Sequence, residues 1–177
     1  EALKELKNLP FEELGYAKID HHRHLRKGFP EVIYGEGKTP LQIAEIMSKI
    51  KDKNKSNILA TRVSPEAFEE IKSILPDAVY NKEARIVIIH QTDFTRSGCI
   101  VILSAGTSDM PVAEEAAVTA EAMGNNVIRI YDVGVAGIHR LLAHRKTLDE
   151  ARVIIVVAGM EGALASVVGG LVDKPII

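Results

Sequence analysis

The stretch CIVILSAGTSDMPVAEE, residues 99–115, combines an apolar run, a loop of small residues and the start of a helix. An unbroken apolar run such as residues 100–103 is typical of a strand buried on both faces of a parallel sheet. Pro111 suits a first helical turn, where the N–H that it lacks would have no partner. The loop between them lies at the carboxyl end of the strand, where open α/β sheets bind their ligands.

The residues that follow repeat this pattern. Strands are predicted at 127–130 and 153–157, each followed by a glycine-rich loop and a helix. Because crossovers between parallel strands are right-handed, the three loops should meet at one edge of the sheet. We name them loop 1 (residues 104–109), loop 2 (131–137) and loop 3 (158–163). Another strand is predicted to begin at residue 175.

The first half of the chain predicts a different architecture. A weak amphipathic helix is expected over residues 2–14, and Pro10 should end or interrupt it. Two capped helices should begin at Pro40 and Pro65 between short strands. We therefore expect an α/β protein with a small N-terminal α+β domain, residues 1–96, and a three-layer α/β/α parallel-sheet domain, residues 97–177. Since the chain lacks an initial methionine and stops just inside a predicted strand, we expect it to be C-terminally incomplete.

The composition excludes several classes of protein. The net charge of −2 predicts neither a nucleic-acid surface nor an anionic-membrane surface. No apolar run approaches the roughly 18 to 20 residues that span a bilayer, and no signal peptide opens the chain. The single cysteine, Cys99, excludes an internal disulfide and suits a reducing compartment. We expect a soluble cytoplasmic protein without nucleic-acid or membrane partners.

Each loop brings one carboxylate to the expected crevice: Asp109, Asp132 and Glu161. Glycines allow backbone amides to approach a phosphate, so the three loops together favour a nucleotide or sugar phosphate. Taken singly, Asp109 could be only an N-cap and the glycines only turn residues. None of the loops has the spacing of a dinucleotide or P-loop fingerprint.

The polar stretch of residues 20–30 has two interpretations besides that of an exposed loop. His21, His22 and His24 would form a metal site if His22 and His24 shared one face of a strand. Alternatively, Arg23 and Arg26, together with the more distant Lys38, would bind a phosphate or carboxylate. A second cationic pair, His139-Arg140, opens a helix near loop 2, where it either contacts ligand or faces solvent.

Several segments closely resemble one family. SAGTSD (104–109), YDVGVAGIH (131–139) and AGMEGALASVVGG (158–170) resemble the carboxylase/hydrolase family that begins nickel-pincer nucleotide synthesis, lactate racemase maturation protein B. DHHR (20–23), RKGFPEVIY (26–34) and GEGKT (35–39) resemble its N-terminal domain. The C-terminal half is more remotely similar to the carboxyaminoimidazole ribonucleotide mutase class and to its fold, although loop 3 lacks that class's following histidine.

The resemblance implies carboxylation of the pyridinium ring of nicotinic acid adenine dinucleotide by CO2. The phosphoanhydride would be hydrolysed to AMP and pyridinium-3,5-biscarboxylic acid mononucleotide. It also implies Mg2+, no organic cofactor beyond the substrate, and a homo-oligomer. The family's nucleophile is a cysteine late in the sequence, and the chain stops before it. Cys99 would lie roughly 17 Å from the site along its strand. We therefore expect the chain to bind substrate without completing the reaction.

The same resemblance implies roles for the loop residues. Asp109, Asp132 and Glu161 would be the catalytic carboxylates, with Asp132 or Glu161 removing the ring proton. The backbone of loop 1 would hold CO2 or the new carboxylate. Substrate contacts are expected from Arg23, Arg26, Lys38, Ser104, Ala105, Gly106, Thr107, Ser108, Gly134, Gly159 and Gly162. The alternatives are a carboxylase or mutase of aminoimidazole ribonucleotide and a non-catalytic nucleotide-binding protein.

Overall fold

The computed structural model describes residues 11–92 and 95–177. The chain divides into two compact units, residues 1–93 and 94–177. Residues 2–10 of the predicted N-terminal helix lie outside the described residues. Directly after Pro10 the chain is not helical, because Phe11–Glu13 is a β-strand that pairs with Lys18–Asp20, so the alternative in which Pro10 only interrupts the helix is wrong. The predicted identities of the two domains stay predictions.

The N-terminal unit is a mixed α/β structure. Strands β1 (Phe11–Glu13) and β2 (Lys18–Asp20) form a hairpin. A four-stranded sheet has the order β3-β4-β6-β5, in which β3 and β4 are parallel and the other pairs antiparallel. Its strands are β3 (Ile33–Tyr34), β4 (Ile58–Thr61), β5 (Val79–Asn81) and β6 (Ile86–Ile89). The helices are α1 (Arg23–Lys27), α2 (Pro40–Lys53) and α3 (Pro65–Ile74).

Helices α2 and α3 begin where the sequence predicts. Thr39 and Gln42 form a reciprocal capping box at the start of α2, and the Ser64 hydroxyl accepts a hydrogen bond from the Ala67 amide at the start of α3. Ile43 and Met47 of α2 then pack into a core with the sheet, where they are at most 1% exposed. The capping residues and the spacing of the apolar residues indicate the same helix, so the sequence predicts the starts of α2 and α3 correctly.

The histidine stretch, residues 21–24, has a different structure from the one expected. Arg23–Lys27 is a short helix, so the expectation that His22 and His24 share one face of a strand is wrong. Asp20 organises this turn, because its carboxylate accepts hydrogen bonds from the His22 amide and from Arg26 Nη2, at 2.5 Å. The hydrogen bond from Arg26 lowers the pKa of Asp20.

The C-terminal unit is built on a parallel sheet. Its central strand β7 (Ser97–Ser104) pairs with β8 (Asn125–Ile130) on one side and β9 (Val153–Val157) on the other. The helices are α4 (Met110–Ala122), α5 (Ile138–Leu142), α6 (Arg145–Glu150) and α7 (Ala163–Leu171). The sequence predicts only one helix between loop 2 and β9, where the structure has α5 and α6. At residue 176 a parallel bridge to Ile154 continues the sheet.

Helices cover both faces of this sheet. Val101 and Leu103 of β7 pack in one cluster with Leu141, Leu148 and Leu164, whereas Ile102 packs with Ala113 and Ala117 of α4. The small alanines allow α4 to approach the strand closely. This confirms the predicted α/β class and the strand buried on both faces. Among the described residues, no helix is both long and apolar enough to span a membrane.

The contact between α4 and β7 leaves no room for a larger side chain at Ala117. We expect Ala117→Leu to lower the free energy of unfolding by about 1–3 kcal/mol, because added methylenes strain a close-packed core. Val112→Leu, on the half-exposed side of the same helix, should change it by less than about 0.5 kcal/mol. Urea unfolding of the two variants measures the difference. Equal stabilities would contradict the packing described here.

Candidate functional site

A cleft of about 290 Å³ lies at the carboxyl ends of the three parallel strands. All three loops line it, as the right-handed crossovers require. The lining residues are Ala105, Gly106, Ser108, Asp109, Gly134, Val135, Ala136, Arg140, Ala158, Gly159, Met160, Glu161, Ala163 and Leu164. The parallel sheet therefore brings together residues that are up to 59 positions apart in the chain, from Ala105 to Leu164.

Loops 1 and 3 are joined at two levels. At the base, the Ala105 amide donates to the Val157 carbonyl oxygen at 2.9 Å. Above it, the Asp109 carboxylate receives one backbone N–H on each oxygen. Gly106 donates to Oδ2 at 2.9 Å within loop 1, and Gly159 donates to Oδ1 at 3.1 Å from loop 3. Both oxygens of Asp109 are thus engaged by the protein itself.

Loops 1 and 2 are joined through Ser104, which is fully buried. Its hydroxyl oxygen accepts a hydrogen bond from the Asp132 amide at 3.2 Å, and its carbonyl oxygen accepts one from the Val133 amide at 3.0 Å. Gly134 then passes so close to loop 1 that a Cβ atom there would lie 2.8 Å from the Ala105 carbonyl oxygen. Only glycine allows this approach of the two backbones.

The carboxylate of loop 2, Asp132, is paired with Arg140 of α5. Arg140 Nη1 donates to Asp132 Oδ2 at 2.7 Å, and both side chains remain substantially exposed, by 39% and 53%. A Cβ atom at Gly137 would lie 2.7 Å from Arg140 Nε, so the absence of a side chain at Gly137 makes room for the guanidinium. Arg140 lines the cleft, and its contact with a ligand stays a prediction.

Two residues of the cleft loops have left-handed backbones although they are not glycine. Asp132 has φ of +56° and Met160 has φ of +53°. Such conformations are strained for most side chains and concentrate at functional sites. Met160 is fully exposed, and its neighbour Glu161 is also exposed on the cleft wall. Within the described residues, Glu161 makes no hydrogen bond or ion pair, in contrast to Asp109 and Asp132.

Not all of the residues predicted for the site reach the cleft. Ala105, Gly106, Ser108, Asp109, Gly134, Gly159 and Glu161 line it, whereas Ser104, Thr107, Asp132 and Gly162 do not. Ser104 lies beneath the loops, and Gly162 precedes α7 with φ of +66°. Within loop 1, the amides of Ala105, Gly106 and Asp109 donate to protein atoms. Of the two remaining loop 1 residues outside β7, Thr107 and Ser108, Ser108 is the one that lines the cleft.

The predicted anion-binding residues of the N-terminal unit have local partners. Arg23 and Arg26 both lie beside Asp20, and Lys38 Nζ donates to the Tyr34 carbonyl oxygen at 2.7 Å. Their role toward a substrate stays a prediction. His21 contacts Glu12 at 3.2 Å, and its side chain is 8% exposed. Among residues 11–92 and 95–177, no group of three or more histidine, cysteine or acidic side chains is arranged to hold a metal.

A partly buried ionic network next to loop 2 is not predicted from the sequence. Glu114 is 8% exposed and accepts hydrogen bonds from the Tyr131 hydroxyl at 2.7 Å and from Arg129 Nε at 3.1 Å. The other two nitrogens of Arg129 donate to both oxygens of Glu121, at 2.7 and 2.9 Å. The signal was a charged residue inside an apolar strand, because Arg129 interrupts the run of residues 127–130.

The network shifts the pKa values of Glu121 and Tyr131. The two hydrogen bonds from Arg129 hold the pKa of Glu121 below its usual value. Burial and the hydrogen bond to Glu114 raise the pKa of Tyr131, so this residue stays neutral as a donor. Tyr131 is the first residue of loop 2, and it lies directly before Asp132. The network therefore anchors the point at which loop 2 leaves the sheet.

Comparisons with known proteins give two findings. Residues 11–91 match the family model described as LarB/PurE-like N-terminal domain. An uncharacterized protein of Methanocaldococcus jannaschii is 44% identical over 171 residues, which cover 90% of this chain and 66% of the relative. The chain thus spans somewhat less than two thirds of that relative's length. For residues 11–91 the match supports the LarB/PurE-like family, and with it a carboxylase-like relationship.

The ion pair of Arg129 and Glu121 should make stability depend on pH. Because the pKa of Glu121 is lowered in the folded state, its contribution is present at neutral pH and is lost as the pH falls below the ordinary value of 4.5. We expect Glu121→Gln to cost about 1–2 kcal/mol at pH 7, since its side chain is only 23% exposed, and progressively less below pH 4.5.

Thermal or urea unfolding at several pH values measures this difference. Glu150→Gln, an exposed substitution in the same unit, serves as the control. A cost for Glu121→Gln that stays constant between pH 7 and acid pH would show that the carboxylate charge does not contribute.

Proposed function

We propose that this chain carries the substrate cleft of a carboxylase that adds CO2 to the pyridinium ring of nicotinic acid adenine dinucleotide and hydrolyses its phosphoanhydride. The products are AMP and pyridinium-3,5-biscarboxylic acid mononucleotide. The observation that carries the proposal is the cleft in which three glycine-containing loops meet at the carboxyl ends of parallel strands. The LarB/PurE-like match of residues 11–91 supports the carboxylase class.

The size and charge of the cleft suit one half of the dinucleotide. Its volume of about 290 Å³ is at the lower end of small-molecule sites. We therefore assign it to the reacting nicotinic acid mononucleotide half. Arg140 is the cationic side chain of the cleft wall, and a guanidinium pairs well with a phosphate. The exposed Ser108 provides a hydroxyl and an amide for the same ligand or for CO2.

The chemistry needs a nucleophile and a base. A pyridinium carbon is electron-poor and does not attack CO2, so a thiolate must first add to the ring and supply the electron pair. The enamine that results attacks CO2, a base removes the displaced ring proton, and the thiolate leaves again. We assign the role of the base to Glu161, because its side chain is exposed on the cleft wall and forms no hydrogen bond or ion pair with the described residues.

The nucleophile has no candidate in the cleft. Cys99 is near the amino end of β7, whereas the cleft lies at the carboxyl end of that strand. Mg2+ would neutralise charge on the phosphoanhydride. The described residues contain no cluster of three metal donors, and Mg2+ is often held through substrate phosphates and few side chains. We propose that the ion enters with the dinucleotide phosphates.

We propose a homo-oligomer in the cytoplasm that acts on the dinucleotide and on CO2 or bicarbonate, with neither nucleic acid nor membrane as a partner. The second candidate, a carboxylase or mutase of aminoimidazole ribonucleotide, shares the carboxylase-like class that the family match supports.

The first test is a turnover assay with protein expressed from its complete open reading frame. It is incubated with nicotinic acid adenine dinucleotide, Mg2+ and labelled bicarbonate, and products are identified by mass spectrometry. We expect AMP and a labelled dicarboxylated mononucleotide. Glu161→Gln should slow formation of the labelled product about 10²–10⁴-fold, as for loss of a general base. Glu150→Gln should not slow it.

The outcomes separate the candidates. AMP without label would leave a pyrophosphatase and remove the CO2 step. Absence of both products would turn the assay to aminoimidazole ribonucleotide, and failure there would leave a non-catalytic nucleotide-binding protein. Full turnover by Glu161→Gln would reject Glu161 as the base.

The role of Arg140 can be measured by binding alone. We expect Arg140→Ala to weaken the binding of nicotinic acid mononucleotide about tenfold or more, because a charge-assisted hydrogen bond to phosphate is lost. Arg145→Ala is the matched control, since Arg145 also pairs with an aspartate, Asp149, but does not line the cleft. Isothermal titration calorimetry gives both affinities. Equal losses in the two variants would mean that Arg140 has no specific contact with the ligand.

A further inference from the structure

We propose that Asp109 is a positioning residue that holds loop 3 against loop 1, and not a proton acceptor in the reaction. Its carboxylate receives the Gly106 amide on Oδ2 at 2.9 Å and the Gly159 amide on Oδ1 at 3.1 Å. These two donors are 53 residues apart in the chain, one on each side of the cleft. The carboxylate is therefore a bridge between the two walls.

The bridge requires both oxygens. A carboxylate offers two acceptors of equal kind, whereas an amide side chain offers one acceptor and one donor. An asparagine at this position would direct its NH2 group toward one of the two backbone N–H groups. The bond to Gly106 closes a local turn within loop 1, so it is the easier one to keep. The bond to Gly159 is then the one that is lost.

Gly159 is adapted to this contact. A Cβ atom at residue 159 would lie 3.3 Å from Asp109 Oδ1, which is closer than ordinary packing allows. At the base of the same two loops, the Ala105 amide binds the Val157 carbonyl oxygen at 2.9 Å. The backbone bond fixes loop 3 where it leaves β9, and Asp109 fixes it two residues later.

This bridge determines where the next residues stand. Met160, with its left-handed backbone, and Glu161 follow Gly159 directly. Releasing Gly159 would free both of them and widen the cleft. The consequence for ligand binding rests on the proposed function, whereas the bridge itself does not.

The test compares Asp109→Asn with the wild-type chain by amide hydrogen exchange, followed by NMR on ¹⁵N-labelled protein. We expect exchange of the Gly159 amide to accelerate about tenfold or more, which corresponds to loss of one hydrogen bond to a charged group. The affinity for nicotinic acid mononucleotide, measured by calorimetry, should fall as well. Asp149→Asn makes the same chemical change at an exposed ion pair of this unit and should alter neither quantity.

Each result decides the proposal. Unchanged exchange at Gly159 would overturn the bridge, whereas faster exchange with unchanged ligand affinity would confirm the bridge and reject its consequence for ligand binding. If the wild-type chain does not bind the mononucleotide, the proposed function fails, while the exchange rates still decide whether Asp109 holds loop 3. Should Asp109→Asn not fold, Gly159→Ala tests the same contact with the carboxylate intact, and exchange at residue 159 must again exceed that of wild type, corrected for residue type.

Discussion

The parallel pairing of β7 with strands on both sides is the constraint on which the rest of the C-terminal unit depends. Leu103 is in register with Ile130 on one neighbour and Val156 on the other, so all three strands end at one level. Their loops must then leave the sheet side by side. Because residues 101–104 of β7 are buried, the carbonyl and amide groups of this half of the strand are satisfied by the neighbouring strands and loops.

The chain uses polar groups next to the backbone to keep these loops together. Ser104 is fully buried and acts through both its hydroxyl and its carbonyl oxygen, while Asp109 acts through its carboxylate. A buried hydroxyl would be costly without a partner, but the Ser104 hydroxyl accepts a backbone N–H of loop 2. The partly exposed carboxylate of Asp109 likewise accepts backbone N–H groups of loops 1 and 3. These polar side chains of loop 1 therefore hold the loops of the cleft together, in addition to any contact with a ligand.

The sequence predicts the features that depend on neighbouring residues. It does not predict those that depend on contacts between residues far apart in the chain. Apolar runs located the strands, and Thr39-Pro40 and Ser64-Pro65 located the helix starts, because capping acts within a few residues. No local signal connects Asp109 to Gly159 or Glu114 to Arg129. The left-handed backbones of Asp132 and Met160 were also missed, since turn prediction relies on glycine and neither residue is one. In the histidine stretch, the hydrogen bonds to Asp20 stabilise a helical turn that the strand prediction did not consider.

The network around Arg129 shows why a charge is tolerated beneath a helix. An unpaired guanidinium in this half-buried position would lose part of its hydration, but Glu114 and Glu121 each bind it through a carboxylate, and the Tyr131 hydroxyl donates to Glu114. A pair of aliphatic residues would give comparable stability without a link to loop 2. The ion pairs and hydrogen bonds around Arg129 connect α4, β8 and the first residue of loop 2 by directional bonds. Apolar contacts are not directional. Loop 2 is therefore anchored from below by Tyr131 and from the side by Ser104, whereas Asp132 stays exposed and pairs with Arg140, which lines the cleft.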